Sequence, residues 1–265
     1  MRHLLPRLLA LVPMLAVGAA PLEAWARGGS QRNLKIPRFA PAVFLEPIKT
    51  RTNSITYKAL IALHGNFDRP SWQCEEWAKV VRGRAFLLCP RGMLRRDAPR
   101  QRRFTYRSTA AARRELEAGL AALRRRFPGK VESGPPALLM GFSLGATYAS
   151  RMAAAAPQRY PRVLLLEGGH TIWTAQRARR FRRKGGKSVA FGCGTRWCAR
   201  RSKKTCKRLR RAKVSCRFAY APGLGHSYGP ALTKRLQEVI DEALKTHRKR
   251  PTARHPGGRK RAPAP

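Results

Sequence analysis

The sequence predicts an α/β protein with a mostly parallel central sheet and helices on both faces. Short apolar runs alternate with amphipathic helical patterns along most of the chain, which is typical of parallel strands joined by covering helices. The 265 residues, 43% of them hydrophobic, suffice for one large core and leave little over for a second domain. We therefore expect a single domain built around one sheet.

Seven short apolar runs are the predicted strands, because a loop with glycine or proline follows each of them. They are residues 42–46, 56–63, 85–89, 137–141, 163–166, 188–191 and 214–219.

Two helices are predicted from leucine stripes, which indicate core contact rather than chemistry. Ser108 can cap the first of them, and its apolar face carries Leu116, Leu120 and Leu123. Pro230 suits the first turn of the second, which carries Leu232, Leu236, Ile240 and Leu244.

The two ends of the chain differ from its middle. Residues 1–26 combine early arginines, an apolar run and a small-x-small pattern ending at Ala26, as in a cleavable secretory signal. That run is interrupted by Pro13 and is shorter than the roughly 20 residues of a membrane span. We expect an exported protein, periplasmic or extracellular, with no transmembrane segment after cleavage.

The predicted domain covers residues 27–248, and residues 28–33 are a polar lead-in to it. Residues 249–265 are basic and rich in Pro and Gly, which predicts a disordered tail.

Six cysteines lie in the predicted mature chain, an even number that can pair in an oxidising compartment. They form two groups, one of two residues and one of four, so we expect one disulfide in the first group and two in the second. Pairing within the second group stays open. A zinc site is the alternative, but the spacing of the cysteines is not that of a usual zinc-binding motif. The six are Cys74 and Cys89, then Cys193, Cys198, Cys206 and Cys216.

The formal charge is +44, from 57 Lys and Arg against 13 Asp and Glu. This charge creates a positive electrostatic potential around the molecule, which favours contacts with polyanions. The basic runs lack the interleaved aromatic residues of a base-stacking platform, so we expect no specific nucleic-acid site. Nonspecific binding to an anionic cell envelope is the expected consequence of this charge.

The pattern Gly141-Phe142-Ser143-Leu144-Gly145 carries the strongest chemical signal. A predicted strand precedes it and a good helix-forming segment, 146–156, follows it. This strand–GxSxG–helix context predicts a nucleophile elbow, in which glycines leave room for a strained turn that exposes the serine. Ser143 is therefore the predicted nucleophile.

A second segment, His64-Gly65-Asn66-Phe67, follows the predicted strand that ends at residue 63. With this segment and the GxSxG turn, the chain resembles the α/β-hydrolase superfamily from about residue 59 to about residue 244. The resemblance implies an oxyanion hole made by the backbone N–H groups of Asn66 and Leu144. His64 is expected to brace the loop.

The resemblance also implies a base in the loop before the last helix, where His226 lies. A neutral imidazole there would take the serine proton and return it to the leaving group. His170 also follows a strand, but the chain order Ser, acid, His favours His226.

The position of the acid differs from the common family pattern. In the family the acid usually follows the strand that corresponds to residues 188–191, and no carboxylate follows that strand here. Glu167, one strand earlier, is the only Asp or Glu between Ser143 and His226. Some members of the family carry their acid at that position, so Glu167 is the predicted orienting acid. An ion pair with arginine or a contact to the adjacent glycines is the alternative, and would leave a serine–histidine dyad.

These residues imply a serine esterase that cleaves a small-molecule or polymeric ester without cofactor or metal. Within the superfamily the chain looks most similar to carboxylesterase and phospholipase-type esterases or polyester depolymerases. A serine peptidase or a thioesterase on the same scaffold is one alternative. A cationic binding protein that keeps the fold without efficient turnover is another.

Overall fold

The structure is a computed structural model that describes residues 31–48 and 55–245. The predicted signal peptide and the predicted basic tail lie outside these ranges.

Within these ranges, eight strands form the central sheet, in the order β1-β2-β4-β3-β7-β8-β9-β10. Pairing from β4 through β3 to β10 is parallel, whereas β2 pairs antiparallel with both of its neighbours, β1 and β4. The predicted α/β class with a mostly parallel sheet is confirmed. The strands, including a separate two-stranded hairpin β5–β6, are β1 Arg32–Ile36, β2 Phe39–Leu45, β3 Ala59–Leu63, β4 Phe86–Cys89, β5 Met93–Leu94, β6 Phe104–Thr105, β7 Leu138–Phe142, β8 Arg162–Leu166, β9 Ser188–Cys193 and β10 Ser215–Tyr220.

The strand β1 was not predicted, and Arg32 and Asn33 belong to it rather than to a polar lead-in. Only Leu34 and Ile36 of β1 are buried, because an edge strand with one solvated face carries few apolar residues. Pairing with β2 completes the hairpin.

The helices lie between the strands. They are α1 Pro70–Val81, α2 Thr109–Arg126, α3 Leu144–Ala155, α4 Ala175–Arg183, α5 Arg196–Arg211, α6 Pro230–Thr233 and α7 Gln237–Leu244, with 3-10 turns at His170–Ile172 and Lys234–Leu236. Ser108 caps α2 as predicted, since its hydroxyl accepts a hydrogen bond from the N–H of Ala111 at 3.1 Å. The predicted single last helix is instead divided by the second 3-10 turn, while Leu232, Leu236 and Ile240 stay buried together.

Two apolar layers flank the sheet. Along β3, Ala59, Ile61 and Leu63 face one layer, formed with α2 to α5, while Leu60 and Ala62 face the other, formed with α1, α6 and α7. A parallel sheet buried on both faces gives this pattern of uniformly apolar strands. Loops at the carboxyl ends of the strands therefore meet at one edge, where ligands bind in such sheets.

Three disulfides join the six cysteines, one in the first group and two in the second, as predicted. The structure also supplies the pairing, which is Cys74–Cys89, Cys193–Cys198 and Cys206–Cys216. Within the described ranges, no helix has the length and apolar character to cross a membrane.

Candidate active site

Ser143 lies at the sharp turn between β7 and α3, with φ of 52° and ψ of −111°. L-residues rarely adopt this conformation, and strain of this kind clusters at functional sites. The flanking glycines make the turn possible. A Cβ at Gly145 would lie 2.2 Å from the carbonyl oxygen of Leu63, and one at Gly141 would lie 2.5 Å from the Gly145 backbone. The sequence thus folds here into the turn that the GxSxG pattern predicts.

His226 lies in the loop between β10 and α6 and reaches Ser143 across the edge of the sheet. Its Nε2 is 2.9 Å from Ser143 Oγ, and its Nδ1 is 3.2 Å from Glu167 Oε2. The imidazole is thus held between a hydroxyl and a carboxylate. With Glu167 accepting from Nδ1–H, Nε2 is free to accept the proton of the serine hydroxyl.

Glu167 directly follows β8, and its side chain is 2% exposed. Its carboxylate accepts hydrogen bonds from the N–H of Gly194, from the N–H of Thr195 at 2.9 Å and from the Thr195 hydroxyl at 2.9 Å. Burial by itself would raise the pKa of Glu167, but these donors and His226 hold that pKa below its usual value. A buried carboxylate with this many donors stays ionised, and can stabilise an imidazolium formed beside it.

Leu144 and Asn66 are the two predicted oxyanion donors. Leu144 is the first residue of α3, and first-turn N–H groups have no acceptor within their own helix. The loop carrying Asn66 runs beside the nucleophile, because a Cβ on Gly65 would lie 3.4 Å from Ser143 Cβ. The exposed Asn66 side chain accepts a hydrogen bond from Arg95 at 2.6 Å.

His64 is fully buried beneath this loop and makes no hydrogen bond to the serine. Its Nδ1 lies 2.7 Å from the Gly65 carbonyl, its Nε2 lies 2.8 Å from the Arg91 carbonyl, and its ring stacks on Tyr106. Burial lowers the pKa of this imidazole. These contacts fit the predicted bracing role.

Asp68 and Tyr228 form a second connection across the site, which the sequence reasoning missed. Asp68 Oδ2 accepts a hydrogen bond from the Gly65 N–H at 3.3 Å, and the Tyr228 hydroxyl donates to Oδ1 at 3.1 Å. Burial and the neighbouring Asp68 charge raise the pKa of Tyr228 well above its usual value, so the phenol stays a donor. The only available signals were the distances in sequence, three residues after Gly65 and two after His226.

His170, the rival base, lies in the 3-10 turn after β8 and packs against Trp197, with ring centroids 4.9 Å apart. Neither of its ring nitrogens has a hydrogen-bond partner among the described residues. Burial lowers its pKa. The structure therefore does not bring His170 to Ser143.

One trio within the described ranges, Glu167, Cys193 and Cys198, has ligand atoms close enough to surround a metal ion. Cys193 and Cys198 are joined in a disulfide, whereas a metal requires thiolates. The trio in this oxidised form does not fit a metal site.

No protein-family model matches the chain, and no curated protein matches its sequence. Solved structures do match. The fluorophosphonate-binding serine hydrolase FphF of Staphylococcus aureus has a TM-score of 0.57 and 13% identity over 82% of this chain and 98% of its own. The S-formylglutathione hydrolase FrmB of the same organism has a TM-score of 0.56 and 12% identity over 82% and 96%. Esterase PE8 has a TM-score of 0.55 and 16% identity over 76% and 97%.

At these identities the likeness concerns the fold. The matched proteins are serine hydrolases and esterases of the α/β-hydrolase superfamily, and the eight-stranded sheet described above is common to them and to this chain. The chain has the α/β-hydrolase fold.

Proposed function

We propose that the protein is a serine hydrolase that cleaves carboxylic esters through an acyl-enzyme. The observation that carries this proposal is the continuous hydrogen-bonded line from Ser143 Oγ through the imidazole of His226 to the buried carboxylate of Glu167. A nucleophile beside a base that is itself oriented by a third group is the arrangement used for acyl transfer.

In the proposed reaction, Ser143 Oγ attacks the ester carbonyl while His226 Nε2 takes the hydroxyl proton. The carbonyl oxygen becomes an oxyanion, which the N–H groups of Leu144 and Asn66 stabilise. His226 then returns the proton to the leaving alcohol as the carbon–oxygen bond breaks. Water, deprotonated by the same imidazole, releases the acid and regenerates the serine.

Fluorophosphonate labelling of the purified protein tests the nucleophile. We expect a single adduct on Ser143 and none on S143A, whose kcat on a 4-nitrophenyl ester should fall by about 10⁴-fold or more. T147A is the matched control, since it removes a nearby hydroxyl one helical turn into α3. Folded wild-type protein that takes no label on Ser143 would remove the proposal.

Ester, thioester and amide substrates with the same acyl group distinguish the three candidate reactions. We expect the ester to be turned over with the highest kcat/KM. Faster cleavage of the thioester would favour a thioesterase, and faster cleavage of the amide a peptidase. Each of those results would replace the ester proposal.

Export is part of the proposal. Three disulfides in the described residues fit an oxidising compartment, in agreement with the signal predicted over residues 1–26. We expect the protein recovered from the periplasm or the medium to begin at residue 27, which N-terminal sequencing would establish. Retention of residues 1–26 on the active protein would contradict this.

A cleft between α4 and α5 favours a second function, which is attachment to an anionic surface. The cleft measures about 530 Å³ and is lined by two alanines and five cations, namely Arg179, Lys204, Lys207, Arg208 and Arg211. Nine of the 16 residues of α5 are Lys or Arg, and neither helix contains a carboxylate. Clustered uncompensated cations attract an anionic surface through counterion release and field focusing.

Cosedimentation with vesicles containing anionic phospholipid tests this attachment. We expect binding at about 0.05 M salt and its loss at about 0.5 M, because screening shortens the range of the interaction. A variant with four cleft cations changed to Gln should bind more weakly than a control with the same charge change on α2 and the segment before it. The control set is Arg107, Arg113, Arg114 and Arg125, all exposed. Equal binding by both variants would show that net charge alone is responsible.

A further inference from the structure

An arginine near two aromatic rings lies beside the loop that carries Asn66, residues 64–69 between β3 and α1, which we call the oxyanion loop. The Arg103 guanidinium carbon is 4.4 Å from the ring centroid of Trp72 and 5.3 Å from that of Phe67. Both rings are unusually exposed for large apolar side chains, at 42% and 41%. We call Arg103, Phe67 and Trp72 the Arg103 cluster.

The cluster adjoins the loop that passes beside Ser143. Phe67 directly follows Asn66, the predicted oxyanion donor, and adopts a left-handed backbone conformation with φ of 60°. Phe104, which follows Arg103 in the chain, exchanges backbone hydrogen bonds with Asp68, and the Asp68 carboxylate accepts a hydrogen bond from the Tyr228 hydroxyl. Arg103 is thus adjacent to the oxyanion loop, on the segment that pairs with Asp68.

Arg103 differs from Arg69 and Arg95 because, within the described part of the chain, its side chain has no hydrogen-bond partner. Arg95 pairs with Asp97 and with Asn66, and Arg69 donates to the Gln101 carbonyl at 2.7 Å. Among the described residues, no oxygen accepts a hydrogen bond from the Arg103 side chain and no carboxylate lies within 4.0 Å of it, although its Nε is buried.

A guanidinium in this position is suited to binding an anion. Aromatic rings contact the guanidinium and hold it in place, while its terminal Nη groups, unlike the buried Nε, remain available for a planar, two-point contact with a carboxylate or a similar anion. The Nη groups have no acceptor among the described residues, and the guanidinium lies against Phe67, the neighbour of Asn66. Both observations point to the substrate as the acceptor.

We propose that Arg103 binds an anionic group on the substrate, so that the preferred esters carry a carboxylate or an equivalent charge away from the scissile bond. This inference rests on the proposed hydrolase function and specifies the substrate class of the same site. Arg103 selects the substrate and takes no part in the proton transfers.

Two esters of equal acyl length test it, 4-nitrophenyl hydrogen adipate and 4-nitrophenyl hexanoate, which differ in a terminal carboxylate or methyl group. A second pair, phenyl butyrate and its 4-sulfonate, places the charge on the leaving group. We expect R103Q to lower kcat/KM about 10-fold for the charged member of one pair and less than about twofold for both neutral esters. R103K, which keeps the charge but loses the planar edge, should be intermediate.

The matched control is R107Q, which removes an equal charge at an exposed position four residues away. It should change kcat/KM less than about twofold on every ester. Salt at about 0.5 M should shrink the difference between wild type and R103Q on the charged ester. The neutral esters report folding of each variant.

Three results would overturn the inference. They are wild-type preference for the neutral ester in both pairs, equal losses in R103Q and R107Q, and an R103Q loss that is the same for charged and neutral esters. Failure of the hydrolase proposal looks different, because then wild type would hydrolyse none of the four esters and Ser143 would take no fluorophosphonate.

Discussion

Two buried carboxylates, Glu167 and Asp68, each contact the loop of His226. Both are 6% exposed, so burial does not distinguish them. Their partners do. Glu167 contacts the imidazole itself through Nδ1, whereas Asp68 contacts the hydroxyl of Tyr228, two residues further on, and the N–H of Gly65.

The difference separates two tasks that a hydrolytic site requires. Glu167 acts on the group that moves the proton, so its charge bears directly on the imidazolium that forms during the proposed reaction. Asp68 acts on backbone and loop position, so it bears on where the oxyanion donors lie. Loss of the Glu167 carboxylate should therefore slow the chemical step strongly. Loss of the Asp68 carboxylate should change the position of the oxyanion donors modestly.

The variant E167Q gives the largest expected effect. We expect kcat on an ester substrate to fall about 10³-fold, because glutamine keeps the shape but cannot stabilise the imidazolium. E238Q is the matched control on a side chain that is 73% exposed, and should retain kcat within about twofold. A loss of less than threefold in E167Q would show that Ser143 and His226 act as a dyad.

The same variant should also show a pH-dependent loss of stability. The folded-state pKa of Glu167 lies below its ordinary value of 4.5, so its ionised form stabilises the fold above pH 4.5 and this contribution disappears as the pH falls through the folded pKa. We expect E167Q to be about 2 kcal/mol less stable than wild type at pH 7, because charged hydrogen bonds are lost. The difference in free energy of unfolding between the two proteins should become smaller below pH 4.5. Urea unfolding of both proteins from pH 3 to 7 measures this.

S143A is the control for that series, because it keeps Glu167 and its donors. Its free energy of unfolding should follow the wild-type pH dependence. A gap between wild type and E167Q that stays constant across the range would contradict the lowered pKa.

The variant D68N should have a smaller effect on activity. Asparagine retains an oxygen that can accept from Gly65, but it loses the charge, so the oxyanion loop is held less firmly. We expect kcat to fall about 10-fold, less than the 10²-fold or more that follows complete removal of an oxyanion donor. D241N, on the surface of α7, is the matched control. A loss in D68N as large as that in E167Q would mean that Asp68 takes part in proton transfer.

Much of the fold could be predicted from the sequence because its strands are buried on both faces and are therefore uniformly apolar, as in β3 and β7. The strand β1 could not, because only Leu34 and Ile36 among its five residues are buried. The 3-10 turn at Lys234–Leu236 was also missed, since a helical leucine stripe continues through it.

In the site, Ser143 could be predicted from a local pattern, because the flanking glycines are needed wherever the chain turns this sharply. Glu167 was predicted only by elimination. The hydrogen-bond donors that surround its carboxylate, Gly194 and Thr195, belong to a loop that begins 27 residues further along the chain. Asp68 and Tyr228 are 160 residues apart, and no local pattern links them. Their assignment depends on the packing of two loops.

The variant Y228F gives the smallest expected effect and tests the connection itself. Removal of the hydroxyl leaves Asp68 with its backbone donors from Gly65 and Arg69, so we expect kcat to fall only about threefold and stability to drop by about 1 kcal/mol. Y220F, at the half-buried end of β10, is the control.

The double variant D68N/Y228F decides whether the two residues act together. If the hydroxyl works through Asp68, Y228F should cost almost nothing in the D68N background, because the interaction that it breaks is already weakened. Steady-state kinetics of the four proteins gives the coupling. Fully additive losses would mean that the Tyr228 hydroxyl and Asp68 act on activity independently, because phenylalanine keeps the ring contact with Phe142, 4.7 Å between centroids.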